Sequence, residues 1–290
     1  MKKGLFVLCI AMCLCVACGK RQAESQLALS TPVSTTMEES CLDTLNEEDS
    51  DDLFFYPVEE KVFPSEDGIF EEFLYDFFVD TLLQKERISF PLTYINKGKE
   101  SQLEEKECSF LEILHSIDVY HTLVERDAEM DAEQDTAMKY VKMECVDMDN
   151  PQVRTFCFEK KDGRWYLVSV YEEEISSYKH NEFFSFYMHF VRDSLYQSTH
   201  VNDPMTFVTM DPEDEFNIIE ANIDMEQWFA FRPALPDRLL VNVDYGIKPS
   251  RRPKRKILTC KSLGGNFNYT SYFRKINGEW VLTRFEDMSN

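Results

Sequence analysis

Glycine is scarce in this chain, at 9 of 290 residues, and those present form no phosphate-cradling loop. No Gly-x-Ser-x-Gly elbow occurs to present a nucleophile. The 5 histidines fall in no metal-ligand pattern, and His115 and His121 stand too far apart to be an i, i+4 helical pair. Beyond residue 18 the cysteines are Cys41, Cys108, Cys145, Cys157 and Cys260, and none has the close spacing of metal ligands. No cofactor and no metal is therefore expected. Positive charge is also in short supply, with 31 Lys and Arg against 53 Asp and Glu and a formal net charge of −22. Such a surface repels polyanions, which excludes nucleic acid as a partner of the whole chain. No apolar run approaches the ~20 residues that a membrane-spanning helix needs.

What is present begins with an export signal. Lys2 and Lys3 precede an uncharged apolar stretch from Leu5 to Ala17, and residues 1–17 read as a signal peptide. The stretch ends Cys15-Val16-Ala17-Cys18-Gly19, which resembles the bacterial lipobox, with Cys15 where leucine is usual. The resemblance implies that Cys18 becomes the acylated N-terminus, so that the membrane is a partner through lipid. The expected location is the cell envelope, lipid-anchored at the outer membrane, with the face left open. Residues 18–52 are rich in Ser, Thr, Glu and Asp, with an acidic cluster at Glu47-Glu48-Asp49 and Asp51-Asp52. Such a stretch cannot bury a core and is expected to be a disordered tether. Export permits disulfides. Cys145 and Cys157 fall on strands expected to be neighbours, where they either pair or stay as buried thiols.

The remainder repeats itself. Phe70, Phe73, Phe77, Asp80, Leu82, Gln84, Pro91 and Thr93 match Phe183, Phe186, Phe190, Asp193, Leu195, Gln197, Pro204 and Thr206 without a gap. Thr155, Phe158, Lys160, Gly163, Trp165 and Leu167 match Thr270, Phe273, Lys275, Gly278, Trp280 and Leu282. The spacing of Phe70, Phe73, Leu74, Phe77 and Phe78 gives one apolar helix face, repeated at Phe183, Phe186, Tyr187, Phe190 and Val191. Each helix must end before Pro91 or Pro204. Asp162-Gly163 and Asn277-Gly278 are two-residue hairpin turns. Alternating strands flank them at 154–160, 165–171, 269–275 and 280–285, with further strands at 138–146, 239–245 and 257–263. Each copy is thus helix first and antiparallel meander after, an α+β arrangement of helices on a curved antiparallel sheet. The copies are expected as domains at 53–176 and 177–290.

An aromatic N-terminal helix with a sheet that closes on Gly163-Arg164-Trp165-Tyr166-Leu167 or Gly278-Glu279-Trp280-Val281-Leu282 resembles the nuclear transport factor 2-like cone fold. The whole chain resembles Bacteroides-type lipoproteins with two such domains in tandem. The resemblance implies a pocket between helices and sheet. That fold hosts isomerases, dehydratases and non-catalytic binding modules, so fold alone does not choose among them.

Asp80, Gln84, Asp193 and Gln197 are candidate pocket residues because both copies keep them. An Asp in an apolar pocket can serve as a general base, whereas one on a solvated face or at a turn only caps. Tyr94 and His200 are candidate donors beside them, and Trp228 either lines a pocket or packs a core. One stretch opposes the net charge: Lys248, Arg251, Arg252, Lys254, Arg255 and Lys256 crowd one loop, which either grips an anion or relieves acidic repulsion. Its expected counterpart in the first copy is the loop holding Asp147, Asp149 and Asn150. The leading expectation is a non-catalytic envelope protein that binds a small ligand or another envelope component. An isomerase- or dehydratase-type enzyme with an inward Asp is the alternative, and a partner that pairs through sheet faces is a third.

Overall fold

The computed structural model describes residues 66–265 and 267–289. The expected signal peptide, Cys18, the tether, Cys41 and residues 53–65 lie outside the described residues.

The phenylalanine periodicity forms α1 (Phe70–Val79), which buries Phe70, Phe73, Leu74, Phe77 and Phe78. Its counterpart α3 (Asn181–Arg192) buries Phe183, Phe184, Phe186, Tyr187 and Phe190. Both helices stop sooner than the prolines demand. Each breaks at an aspartate, and a short helix follows: α2 (Thr81–Glu86) after Asp80 and α4 (Ser194–Thr199) after Asp193. Pro91 and Pro204 then sit inside strands, β1 (Ile88–Asn96) and β7 (Val201–Asp211), each after a cis peptide bond. These strands turn back into β2 (Lys99–Leu103) and β8 (Asp214–Ile223).

Further strands follow in order, and all but the first of them, β3, were expected. They are β3 (Val119–Val124), β4 (Tyr140–Asp147), β5 (Gln152–Lys161) and β6 (Arg164–Glu174) in the first half of the chain. In the second half a helix, α5 (Met225–Phe231), precedes β9 (Leu239–Asp244), β10 (Arg255–Ser262), β11 (Asn268–Ile276) and β12 (Glu279–Asp287). Both expected hairpin turns have positive φ at both residues, 49° and 79° at Asp162-Gly163 and 53° and 94° at Asn277-Gly278. The fold is α+β.

The twelve strands among the described residues join one sheet in the order β2-β1-β6-β5-β4-β9-β3-β10-β11-β12-β7-β8. The order is symmetric about the β9–β3 junction, and it exchanges strands. β9, from the second half of the chain, completes the first half's sheet through six antiparallel pairs with β4, from Lys142↔Asp244 to Asp147↔Leu239. β3, from the first half, likewise pairs with β10, from Ile257↔Val124 to Ser262↔Val119. The two exchanged strands meet in parallel at His121↔Asn242. Alternation along the central strands divides the core. Met143, Cys145, Val241 and Val243 belong to the cluster under α1, while Val146, Leu240 and Leu123 belong to the cluster under α3. Neighbouring strand residues point to opposite faces, so the two helical layers cover opposite faces of one sheet.

The residues kept between copies are the centre of each core. Phe158 meets Phe70, Phe73 and Phe77 at ring separations of 5.2, 5.8 and 5.4 Å, and Trp165 meets Phe70 at 5.0 Å. Phe273 meets Phe183, Phe186 and Phe190 at 5.3, 5.7 and 5.4 Å, and Trp280 meets Phe183 at 5.5 Å. The crossings are edge-to-face, the favoured arrangement of aromatic quadrupoles.

Two outcomes follow from this packing. Phe158→Ala and Phe273→Ala should each lower stability by about 3–5 kcal/mol, read as a shift in the urea midpoint. Residues 66–176 made alone lack β9 and leave the β4 edge and the underside of Met143 open. Circular dichroism should show no cooperative melt for that piece or for residues 177–290, and co-expression should restore one. A cooperative melt of either piece alone would contradict the exchange.

Candidate functional site

The polar residues kept between copies build the helix corner. The Asp80 carboxylate accepts from the Leu82 and Leu83 N–H groups at 2.9 and 3.2 Å, and Asp193 accepts from Leu195 and Tyr196 at 2.9 and 3.0 Å. Both are N-caps. Breaking the helix leaves carbonyls bare at the end of the preceding one. Gln84 Nε2 donates to the Phe77 carbonyl at 2.7 Å and Gln197 Nε2 to that of Phe190 at 2.8 Å. Gln197 Oε1 in turn accepts from Trp228 Nε1 at 3.2 Å and from the Arg232 guanidinium. Trp228 is fully buried and packs its ring against Phe285. His200 ends α4, stacked 3.9 Å from Tyr196, with Nδ1 beside the Tyr196 carbonyl. His200 and Asp193 cap opposite ends of that short helix.

Tyr94 lies elsewhere, on β1, with its ring stacked on Phe110. Its hydroxyl donates to Glu172 at 2.6 Å, and Glu172 also binds Arg154 at 2.6 Å. Burial, aided by Glu172, pushes the phenol up to about 12. Arg154, Glu172 and Cys145 line a recess of about 70 Å³. That is room for two or three waters at roughly 30 Å³ each, far below the ~300 Å³ at which small-molecule sites begin. The Cys145 and Cys260 thiols are pushed up to about 12 by burial. All four described cysteines are free, and the ladder sets Cys145 opposite Arg154 and Cys157 opposite Lys142.

The densest polar cluster lies at the strand exchange. Glu144 on β4 is buried; it accepts from Asn242 Nδ2 at 2.7 Å, from the Tyr178 hydroxyl, and from Lys179 Nζ at 2.9 Å. Lys179 also pairs with Asp244. Burial raises the Glu144 carboxyl, against the pull of Lys179. Burial would lower Lys179, but Glu144 and Asp244 outweigh it and hold the ammonium above its ordinary value. Asn242 Oδ1 accepts from the Leu123 N–H at 2.9 Å, which ties β9 to β3. Tyr178 and Lys179 come from the segment joining the two halves, Ile175–Ser177 and the residues after it.

The basic loop meets the same seam. By topology its counterpart is the β3–β4 connection, not the loop at Asp147, Asp149 and Asn150, because the exchanged strands β3 and β9 are the equivalent elements. The two connections touch with opposite charge. Arg255 makes a two-pronged pair with Asp127 at 2.7 Å, and buried Lys256 pairs with Glu125 at 3.0 Å. Glu125 also accepts from the Ser250 N–H. Lys248, Arg251, Arg252 and Lys254 are exposed and make no ion pair among the described residues. Glu144, Asn242, Tyr178 and Glu125 carry no sequence pattern that singles them out. The one available signal is a polar residue inside an apolar strand, as in Met143-Glu144-Cys145 and Val241-Asn242-Val243.

His121, buried on β3, has Nδ1 at 3.2 Å from the Val241 carbonyl, and burial pushes it down to about 4. In the unfolded chain it titrates near 6.5. The unfolded state therefore takes the proton first. The stability that neutral His121 contributes is whole above about pH 6.5 and falls by up to about 3 kcal/mol as the pH drops toward 4. Urea midpoints from pH 7 to 4 should fall less steeply for His121→Gln than for the unaltered chain. Equal slopes would show that His121 does not carry the effect.

The fold has solved relatives. An NTF2-like protein from Bacteroides fragilis, known from a crystal structure, is similar at 35% identity over 77% of this chain and 96% of its own, with a TM-score of 0.71. No curated protein matches the sequence. The family model for a domain of unknown function, DUF4348, matches residues 50–287. The chain belongs to the DUF4348 family and has an NTF2-like fold.

Proposed function

We propose that this protein is a non-catalytic binding module of the cell envelope, two nuclear transport factor 2-like cones in tandem, held to the outer membrane through lipid on Cys18. The observation that carries the reading is the filling of both interiors by the chain's own rings. Phe158 and Phe273 each occupy the space beneath their helix, among three phenylalanines. The polar groups kept in both copies are engaged as caps and carbonyl partners. An isomerase or dehydratase would need one of those aspartates inside an open pocket. Recognition then falls to the outer surface, where the seam between the halves carries the exposed cations. The lipobox-like Cys15-Val16-Ala17-Cys18 supports the anchor.

The test has two arms. Cells fed an alkynyl fatty acid should label the chain and keep it in the membrane fraction, and Cys18→Ala should lose both. Label that survives Cys18→Ala, or never appears, removes the anchor. Native mass spectrometry of the gently purified chain should show no small molecule held against Asp80 or Asp193. A retained molecule lost in Asp193→Asn would overturn the binding-module reading in favour of an enzyme.

A further inference from the structure

A cavity of about 180 Å³ opens at the foot of the basic loop, between that loop and the start of α3. Its walls include Lys179, His180, Phe183, Ser250, Arg251 and Lys256. The walls come from separate stretches of the chain: Lys179 and His180 from the joining segment, Phe183 from α3, and the others from the 248–256 loop.

Most groups around this space are donors, and the Glu125 carboxylate behind it engages two of them, Lys256 Nζ and the Ser250 N–H. Lys256 Nζ lies 3.3 Å from His180 Nδ1. An ammonium has only protons to offer, so Nδ1 must accept. The imidazole is neutral, because burial and then the charges of Lys256 and Lys179 push it down to about 2. A neutral ring that accepts at Nδ1 carries its proton on Nε2. His180 is 8% exposed, yet Nε2 has no partner among the described residues and is not one of the sealed, unsatisfied atoms of the core. It is an N–H donor on a residue that lines the cavity. Arg251 adds a guanidinium with no ion pair among the described residues. α3 starts at the cavity, and its N-cap His180 makes no side-chain cap bond. The N–H groups of Glu182 and Phe183 have no acceptor among the described residues, and both residues line the cavity. The carboxylate on the wall, Glu182, is paired with Lys275.

The geometry points to a binding site for a phosphate group, either the free dianion or the terminal phosphomonoester of a larger ligand, at the cavity formed by His180, Arg251, Lys256 and the first turn of α3. A space of this size holds about six waters at roughly 30 Å³ each. It suits a tetrahedral oxyanion and is too small for a drug-sized molecule. A tetrahedral dianion presents acceptor oxygens in several directions, which matches donors converging from a loop, a helix start and a linker. The net charge of −22 does not forbid this. Charges more than about 8 Å away are largely screened at physiological salt, so the local donors decide. The inference rests on the binding-module reading and gives it a ligand class.

The experiment is calorimetric titration of the full chain in detergent, first with inorganic phosphate and then with a water-soluble short-chain phosphatidate. One-to-one binding of either is expected. Arg251→Glu, an exposed position, should weaken it at least tenfold with an unchanged thermal melt. His180→Phe should weaken it several-fold, and His180→Gln, which restores a donor, should recover part of the loss. Tighter binding of phosphatidate assigns a lipid phosphomonoester as the source, and tighter binding of phosphate assigns the free ion. No heat with either up to 10 mM, on the order of the weakest useful affinities, overturns the site. So does equal binding by Arg251→Glu. Failure here leaves fatty-acid labelling at Cys18 untouched, so the two readings fall separately.

Discussion

Each half of this protein depends on a phenylalanine of the sheet held among three from the helix above. Phe158 under α1 and Phe273 under α3 make edge-to-face contacts at 5.2–5.8 Å and 5.3–5.7 Å. Aromatic rings bring large buried area with little conformational entropy to lose. They fix how each helix lies on its strands. They also fill the space directly beneath each helix. The break at Asp80 or Asp193 lets the second short helix turn away from this packed layer, and Gln84 or Gln197 satisfies the carbonyl exposed by the break.

The centre of the sheet is constrained differently. One sheet with helices on opposite faces forces its central strands to be buried on both sides, as with Cys145 and Val146 on β4. A polar residue there must find partners within the protein, because an unpaired buried donor or acceptor costs about 1–3 kcal/mol. Asn242 reaches both Glu144 and the Leu123 backbone. Such bonds select one register among those that apolar alternation alone would tolerate. The exchange also brings the acidic end of β3 against the basic loop, so that Glu125 and Asp127 neutralise Lys256 and Arg255. The remaining cations stay at the surface. A strongly acidic chain thereby presents one patch of opposite sign, at a place built jointly by both halves.

The fates of the polar candidates illustrate how local and distant information divide. Asp80 and Gln84 were legible as kept, and their capping geometry involves only near neighbours in the chain. Tyr94 finds Glu172 through a β1–β6 pairing that no local pattern announces. The hairpin of β1 and β2 was hidden because Pro91 breaks the strand signal, although Lys97-Gly98 takes the same positive-φ turn as Asp162-Gly163. Of the six cations in the basic loop, sequence spacing treats all alike. Only the fold separates the two that are paired, Arg255 and Lys256, from the four that make no ion pair among the described residues.

The sequence by itself determined the helix faces, the two Gly-containing hairpin turns, the late strands and the matched residues of the two halves. These depend on periodicities of 3.6 and 2 residues and on the φ angles that Asp-Gly and Asn-Gly accept, all of which act over a few residues. The tertiary structure alone decided which strands pair across the middle of the sheet. β3 and β9 are equally apolar, and either could complete either half by local criteria. Long-range closure, the bonds of Asn242 and the opposite charges of the two flanking connections set them in exchanged positions. The same contacts carry His180, Arg251 and Lys256 to one cavity from separate parts of the chain, which no reading of neighbours along it could assemble.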